Sequence, residues 1–338
     1  MINKPIFFER NRVGRVYTGG KLFAGFFGDE AVDGFEPEEW IASSVRAINK
    51  VQKSEHEGLS KIKGEEIYFD ELLKKYPEEL LGKGKELRIL VKALDSAIRL
   101  PAQAHPDKAF SREHFNSQYG KTECWLILDT REDAKIYFGF KDGVTKEDFE
   151  KAIDDSETDK DAMERLMISF TPKKGDIYLV PAKTVHAIGK GCLILEIQEP
   201  TDFTIQPERY CGDYRLSDKE MYMGLSRESA VDCFSFGDTP KAQKLPVALE
   251  EKDGVRVEAL IGPRDTDCFI INRIRLDGGE TVARVENSYA IYIVTEGEAL
   301  LGNGDYSRRV TKGDYFFMPA SLMGKFTLSG NAEIIECY

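Results

Sequence analysis

The chain has 338 residues and 59 acidic against 47 basic side chains, a formal charge of −12, which argues against nucleic acid and anionic membrane surfaces as partners. Hydrophobic content of 41% with 20 Phe and 14 Tyr is ample for sizeable cores, makes sheet the favoured element, and at this length predicts two domains. No run of about 18 apolar residues occurs and the N-terminus lacks a long apolar stretch, which predicts a soluble, cytoplasmic protein that is not secreted.

Short strand-like pieces surround Gly14–Phe27, with Gly19-Gly20 as a turn, and a strand is expected around Trp40–Val45. Glu65–Leu81 has helical periodicity interrupted by Pro77. Leu87–Leu94 and Ala97–His105 read as two strands separated by Asp95-Ser96, followed by a charged loop from Asp107 to Lys121. Thr145-Lys-Glu-Asp148 is a capping box opening a helical insertion at about 141–167. Strands resume at Met167–Thr171, Asp176–Val180 and Leu193–Gln198, and another helical piece covers Ser217–Phe234. A linker candidate, 237–246, precedes a remainder that is strand and turn throughout. Six cysteines show no Cys-x-x-Cys spacing, and several sit in apolar runs, as reduced and mostly buried thiols do.

The chemistry-bearing stretch is Arg99–Trp125. Gln103 and His105 stand two apart, so on an extended chain both side chains converge on one face. Glu123 follows, just before the apolar run Cys124–Leu128. Imidazole plus carboxylate oxygen suits a borderline divalent metal, zinc first and manganese, iron or cobalt next, and Gln103 offers a neutral amide oxygen. One more histidine is needed. His56 and His114 lie in charged, polar stretches and read as exposed and non-functional, whereas His186 closes a buried-type strand and a Pro-bounded turn, Gly175-Asp-Ile-Tyr-Leu-Val-Pro-Ala-Lys-Thr-Val-His186.

An internal repeat sets the architecture. Lys174–His186 aligns without gaps on Lys312–Gly324, and Cys124–Thr130 fits Tyr289–Thr295, at offsets of 138 and 165 residues. The 27-residue difference matches the insertion at 141–167. The ligands do not repeat: His186 aligns with Gly324 and Glu123 with Ser288. The fold is expected twice and the metal site once.

The spacing Gly-x5-Pro-x4-His, with an upstream Gln-x-His and a Glu, resembles the cupin jelly roll. Leu100-Pro-Ala-Gln-Ala-His-Pro-Asp107, Gly120-Lys-Thr-Glu-Cys-Trp125, Pro181–Gly189 and Leu195-Glu-Ile-Gln-Glu-Pro-Thr-Asp202 resemble the class I mannose-6-phosphate isomerase family along essentially the whole chain, as do Lys21-Leu22 and Trp40-Ile-Ala-Ser43. The resemblance implies a mainly β protein of two cupin-type units, a catalytic one over 1–236 carrying the helical insertion and a second over 237–338 without metal ligands. It implies Gln103, His105, Glu123 and His186 as ligands of one zinc ion, and Lys121, Glu196 and Gln198 in the pocket, with Trp40 and Ser43 as substrate-binding candidates. Gln206 stands where most members carry an arginine, with Arg209 the nearest replacement, and Tyr17-Thr-Gly-Gly20 replaces the usual Trp-Gly-Gly.

The implied activity is metal-dependent interconversion of mannose 6-phosphate and fructose 6-phosphate through an enediol. It requires a Lewis acid, a base for the carbon proton and a grip on the phosphate. Glu196 and Lys121 are the candidate bases, and Arg209 would stabilise charge or bind phosphate. Rival readings are an isomerase of a different sugar, a non-catalytic cupin that binds a sugar or sugar phosphate, and an iron dioxygenase, against which Gln103 in place of a histidine argues.

Overall fold

In the strand Cys192–Gln198, successive side chains divide between two interiors. Leu193, Leu195 and Ile197 enter one apolar core while Cys192 and Ile194 enter another, the period-two alternation of a strand buried on both faces. This strand is the middle of a seven-stranded antiparallel sheet in the order Gln243–Lys244, Ile177–Val180, Glu123–Thr130, Cys192–Gln198, Leu90–Ser96, Glu38–Ile41 and Arg12–Val13. The computed structural model describes every residue except Met1, Asp238 and Pro240.

A second sheet, of eight strands, holds Tyr315–Met318, Ala290–Gly302, Thr327–Cys337, Ile271–Val282, Val255–Ile261 and Val247–Lys252 in that order, with Ile6–Phe7 on its edge and Ser307–Thr311 paired to Ala290–Gly302. The two sheets face each other across a shared core. Val91, Leu126, Leu195 and Ile197 from the first meet Ile271, Ile291, Phe317 and Ile335 from the second. The chain crosses between sheets at both ends: Ile6–Phe7 pairs with Phe316 and Phe317, and Gln243–Lys244 pairs with Tyr178 and Ile177. The linker candidate 237–246 contains Asp238 and Pro240, which lie outside the described residues.

A three-stranded sheet, Met167–Phe170, Ile136–Phe140 and His186–Ile188, closes over the far face of the seven-stranded one. The insertion springs from it as the helix Lys146–Asp155 and a short 3₁₀ turn, Glu164–Leu166. Thr145 and Asp148 exchange side-chain and backbone bonds as a capping box, and Phe149, Ala152 and Ile153 bury the helix against the core. The helices Phe69–Lys75 and Pro77–Leu81 break at Pro77 as expected.

Three expectations need correction. Asp95-Ser96 is the last pair of the strand Leu90–Ser96 and not a connection after it: Asp95 accepts the amides of Gly20 and Leu22 at 2.8 and 2.9 Å and pairs with Arg131. Gly19 packs so closely that a Cβ there would lie 1.7 Å from the Asp95 carbonyl oxygen. Residues 97–105 form isolated bridges only, at Gln103 and Ala104, because Pro101 and Pro106 deny the segment a ladder. The charged loop from Asp107 contains a helix, Lys108–Phe115, whose N-cap Asp107 accepts from the Phe110 amide. The expected helix over Ser217–Phe234 is two short ones, Asp218–Tyr222 and Arg227–Val231, each capped by a serine. All six cysteines are buried and free, and no helix is long and apolar enough to cross a membrane.

The repeat is real, with a shift. Glu123 pairs with Val180 and Ala290 pairs with Met318, so the ladder matches Glu123 to Ala290, two residues beyond the Ser288 given by sequence alignment. A two-residue shift keeps the same face, so the apolar pattern of the two strands matches in either register.

Candidate metal centre and cavity

Two strand entrances and one extended segment meet at His105, Glu123 and His186. Glu123 opens its strand between Gln198 and Val180. His186 opens the strand against Phe138, and its backbone exchanges both hydrogen bonds with Gln103 at 2.9 Å. The His105 carbonyl accepts from the Lys183 amide at 2.7 Å, tying its segment to the turn before His186. All three side chains are buried, and one donor atom from each lies within 4.8 Å of the others.

The distances within the cluster are short. His105 Nε2 is 3.1 Å from His186 Nε2 and 3.1 Å from Glu123 Oε2, and His186 Nε2 is 3.4 Å from Glu123 Oε1. The Nδ1 atoms face carbonyl oxygens, Phe203 for His105 and Thr184 for His186, each at 2.9 Å. A carbonyl only accepts, so both Nδ1 atoms carry the proton and both Nε2 lone pairs point at each other and at a carboxylate. Burial and the neighbouring Lys121 ammonium pull the His105 imidazole down to about 3, and burial lowers His186 as well. Two neutral imidazoles and a carboxylate, converging with no proton between the nitrogens, fit a divalent cation, and the carbonyl bonds orient the rings as outer partners of metal-bound histidines do. Burial pushes the Glu123 carboxyl up, but the Lys121 charge leads the effects that outweigh it and hold the group ionised. Trp125 Nε1 donates to its second oxygen at 2.9 Å.

Beside the cluster opens a cavity of about 400 Å³, lined in part by Gln103, Lys121, Glu196, Lys92, Glu38 and Tyr17. Lys121 Nζ lies 2.7 Å from His105 Nε2 and 2.9 Å from Glu123 Oε2. Register explains the wall: Trp125, Glu196, Lys92 and Trp40 stand in one row across four strands. Lys92 sits 3.4 Å from Glu196, 3.8 Å from Glu38 and 3.7 Å from Asp202. Burial lowers the Lys92 pKa, but those three carboxylates more than reverse it. Glu38 also accepts from Arg15, Tyr17 and Trp40 at 2.9, 2.7 and 2.7 Å, which overcomes burial and keeps it below the usual carboxylate range. Glu196 has less help. Burial and the Glu123 charge push its carboxyl up to about 7.

The expected site residues therefore divide. Gln103, Lys121 and Glu196 line the cavity. Trp40, Ser43 and Gln198 are buried behind its wall: Trp40 supports Glu38, Ser43 bonds the Val45 backbone, and Gln198 Nε2 donates to the carbonyls of Glu199 and Thr201. Arg209 does not reach the cavity. Its Nε is 2.6 Å from Glu157 and its Nη1 2.9 Å from Asp218 and the Leu216 carbonyl, so two outer carboxylates hold it away, while Gln206 itself lines the cavity. Sequence reasoning missed Arg15, Glu38, Lys92 and Asp202. The available signal was Lys92, a lone charge inside the apolar run Leu90–Leu94. His56 and His114 lie away from the cluster, half-buried against Tyr68 and Phe110.

Residues 263–338 match the family described as mannose-6-phosphate isomerase, cupin domain. Over 253 residues the chain is 32% identical to mannose-6-phosphate isomerase ManA of Bacillus subtilis (strain 168), covering 75% of each protein. The chain belongs to the mannose-6-phosphate isomerase family. Another member, the mannose-6-phosphate isomerase of Streptococcus mutans, is 27% identical over 338 residues, 99% of this chain and 98% of that protein. The crystal structure of the mannose 6-phosphate isomerase from Bacillus subtilis superposes with a TM-score of 0.81 at 26% identity, covering 99% of this chain and all of that one. The apo form of the Salmonella typhimurium enzyme shares the fold, with a TM-score of 0.73 at 14% identity over 100% and 99% of the two chains. The residues matched by the family model fall in the eight-stranded sheet, whereas Glu123 lies in the seven-stranded sheet and His186 in the three-stranded sheet beside it.

Proposed function

We propose that this member of the family is a metal-dependent aldose–ketose isomerase that interconverts mannose 6-phosphate and fructose 6-phosphate. The observation that carries the reading is the pair of neutral imidazoles and the ionised Glu123 converging beside a cavity lined by Lys121 and Glu196, in a chain 32% identical to a mannose-6-phosphate isomerase. His105, Glu123 and His186 would hold the ion, with the amide oxygen of Gln103 as a fourth ligand. Zinc is the first choice for two imidazoles, one carboxylate and one amide, and that set leaves the site a net charge of +1. When bound, the ion supplies Lewis acidity toward the sugar oxygens.

The chain's own residues handle the protons. Glu196, with a carboxyl near 7, is matched to taking the carbon-bound proton at neutral pH and returning it to the neighbouring carbon. Lys92, 3.4 Å away, stabilises its ionised form. Lys121 carries three donors beside Glu123 and His105 and is placed to stabilise negative charge developing on the sugar oxygens. The six buried, free thiols suit a reducing, cytoplasmic setting, and the charge of −12 disfavours nucleic acid.

The test is conversion of mannose 6-phosphate to fructose 6-phosphate by the purified protein, with and without chelator, beside free mannose and other aldoses. Chelator-sensitive turnover of the ester is expected. About one bound metal per chain with no turnover of any aldose would move the protein to the class of non-catalytic sugar-binding cupins.

A further inference from the structure

The isomerase reading puts the reacting carbons of a sugar phosphate beside His105, Glu123 and His186 and leaves the phosphate to be placed. Five cationic side chains line the cavity: Arg15, Lys50, Lys92, Lys121 and Lys219. Three are already matched by acids of the protein. Arg15 pairs with Glu38 and Asp202 at 2.9 Å each, Lys92 lies within 4 Å of three carboxylates, and Lys121 is 2.9 Å from Glu123. Every side chain in these pairs is at most 12% exposed. Pulling one cation away to meet a ligand would strand a buried carboxylate, a heavily penalised step.

Lys50 and Lys219 differ in kind. Lys50 is 61% exposed, and its nearest acid, Glu220, is 3.7 Å away. The Glu220 carboxylate is already engaged by the Ser217 amide at 2.8 Å and the Tyr214 hydroxyl at 2.6 Å. Lys219 is exposed and, among the described residues, has no ion pair within 4 Å. The two lysines come from segments far apart in sequence, the loop after Val45 and the helix Asp218–Tyr222, yet open on one cavity. The same wall also carries neutral polar groups, Asn49, Ser217 and the Gln206 amide, beside Glu220. In a chain of charge −12, a dianionic ligand needs such a local pair of exposed cations, one of them facing a single carboxylate that other donors already engage and the other with no ion pair among the described residues.

We infer that Lys50 and Lys219 grip the phosphate at the open end of the cavity, with the reacting carbons of the sugar directed to the buried end. The inference rests on the isomerase reading for the identity of the ligand. It makes discrimination between the phosphate ester and the free sugar a property of two mouth lysines, with Arg15 and Lys92 serving to hold the wall carboxylates.

The experiment compares wild type with a K50A/K219A double variant on mannose 6-phosphate. KM is expected to rise about tenfold or more, each factor of ten being one decade of binding, while kcat falls less than about threefold. Because exposed contacts are screened, the wild-type KM climbs with added salt and that of the double variant stays nearly flat. K50R/K219R, which keeps both charges, recovers most of the lost affinity. A KM within about twofold of wild type in the double variant, in an enzyme that turns the ester over, overturns the grip and leaves the isomerase reading intact. Calorimetric titration of the metal-loaded protein with inorganic phosphate separates the other case. If wild type turns nothing over but binds phosphate and the double variant does not, the grip stands and the isomerase reading falls; equal or absent binding in both overturns the grip.

Discussion

Val180 in the first sheet and Met318 in the second hold the same place in the internal repeat, and each lies opposite the first strand residue of a neighbour, Glu123 in one unit and Ala290 in the other. From that point inward the units diverge. The first lines its interior with Lys92, Glu123, Trp125 and Glu196 around a cavity. The second fills the matching space with Tyr292, Val294, Phe316, Met318, Phe326 and Ile334, with the Tyr292 and Phe316 rings stacked at 5.2 Å. The same ladder supports both. What differs is whether the inward face is closed by packing or by ion pairs that need each other. A packed interior is stable by itself, whereas charges in a buried wall persist only while every partner is present. The second unit gives the first a full apolar floor across the shared core, which lets the first devote its other face to polar groups.

Changes on the two inward faces should therefore fail in different ways. The largest effect is expected at Glu123. Glu123→Gln removes the only anionic donor of the cluster and should cut turnover on the order of 10³-fold or more, with bound metal lost on elemental analysis and a lowered melting temperature, because buried Lys121 loses its carboxylate. A variant that keeps full turnover without metal would sink the site assignment. Phe316→Ala, at the packed counterpart, should cost stability alone: a loss of about 3–5 kcal/mol in urea unfolding, with metal stoichiometry retained. Glu196→Gln should lower kcat by roughly 10²-fold. The Glu196 carboxyl, held up to about 7, is a base only when ionised, so wild-type kcat/KM should rise as pH increases toward about 7 and level off above it. The variant should lack that rising limb; if it keeps the limb, another group is the base. The smallest effect is expected at Arg209, which is committed to Glu157 and Asp218 at the surface. Arg209→Ala should change kcat/KM less than about threefold, and a loss of several orders of magnitude would bring this arginine back into the reaction.

The convergence of His105, Glu123 and His186 was legible because its signals are local or repeated. Gln103 and His105 are two apart, Glu123 opens an apolar run, and His186 ends a motif whose second copy lacks it. The helix breaks at Pro77 and the Thr145 capping box are equally local, set by one missing N–H and one reciprocal pair of bonds. The ion pairs of the cavity wall were not legible. Arg15 meets Asp202 and Lys92 meets Glu196 only after strands distant in sequence are laid side by side, and no spacing rule reports a cross-strand partner. Arg209 shows the converse error. Nearness in sequence to Gln206 said nothing about the carboxylates of Glu157 and Asp218, which the fold brings to it first. The Asp95-Ser96 pair looks like a turn by composition, yet two backbone amides and an arginine satisfy Asp95 inside a strand.

The edge strand Ile6–Phe7 also bears on how the chain is made. Its partners, Phe316 and Phe317, lie more than three hundred residues downstream. At about 5–20 residues per second, a nascent chain waits roughly 15–60 s between emergence of that strand and synthesis of its mate. During this interval two apolar residues and the surface of the shared core stay uncovered, a condition that favours slow closure and invites capture by chaperones or by other nascent chains. A strand made early is thus among the last to find its place.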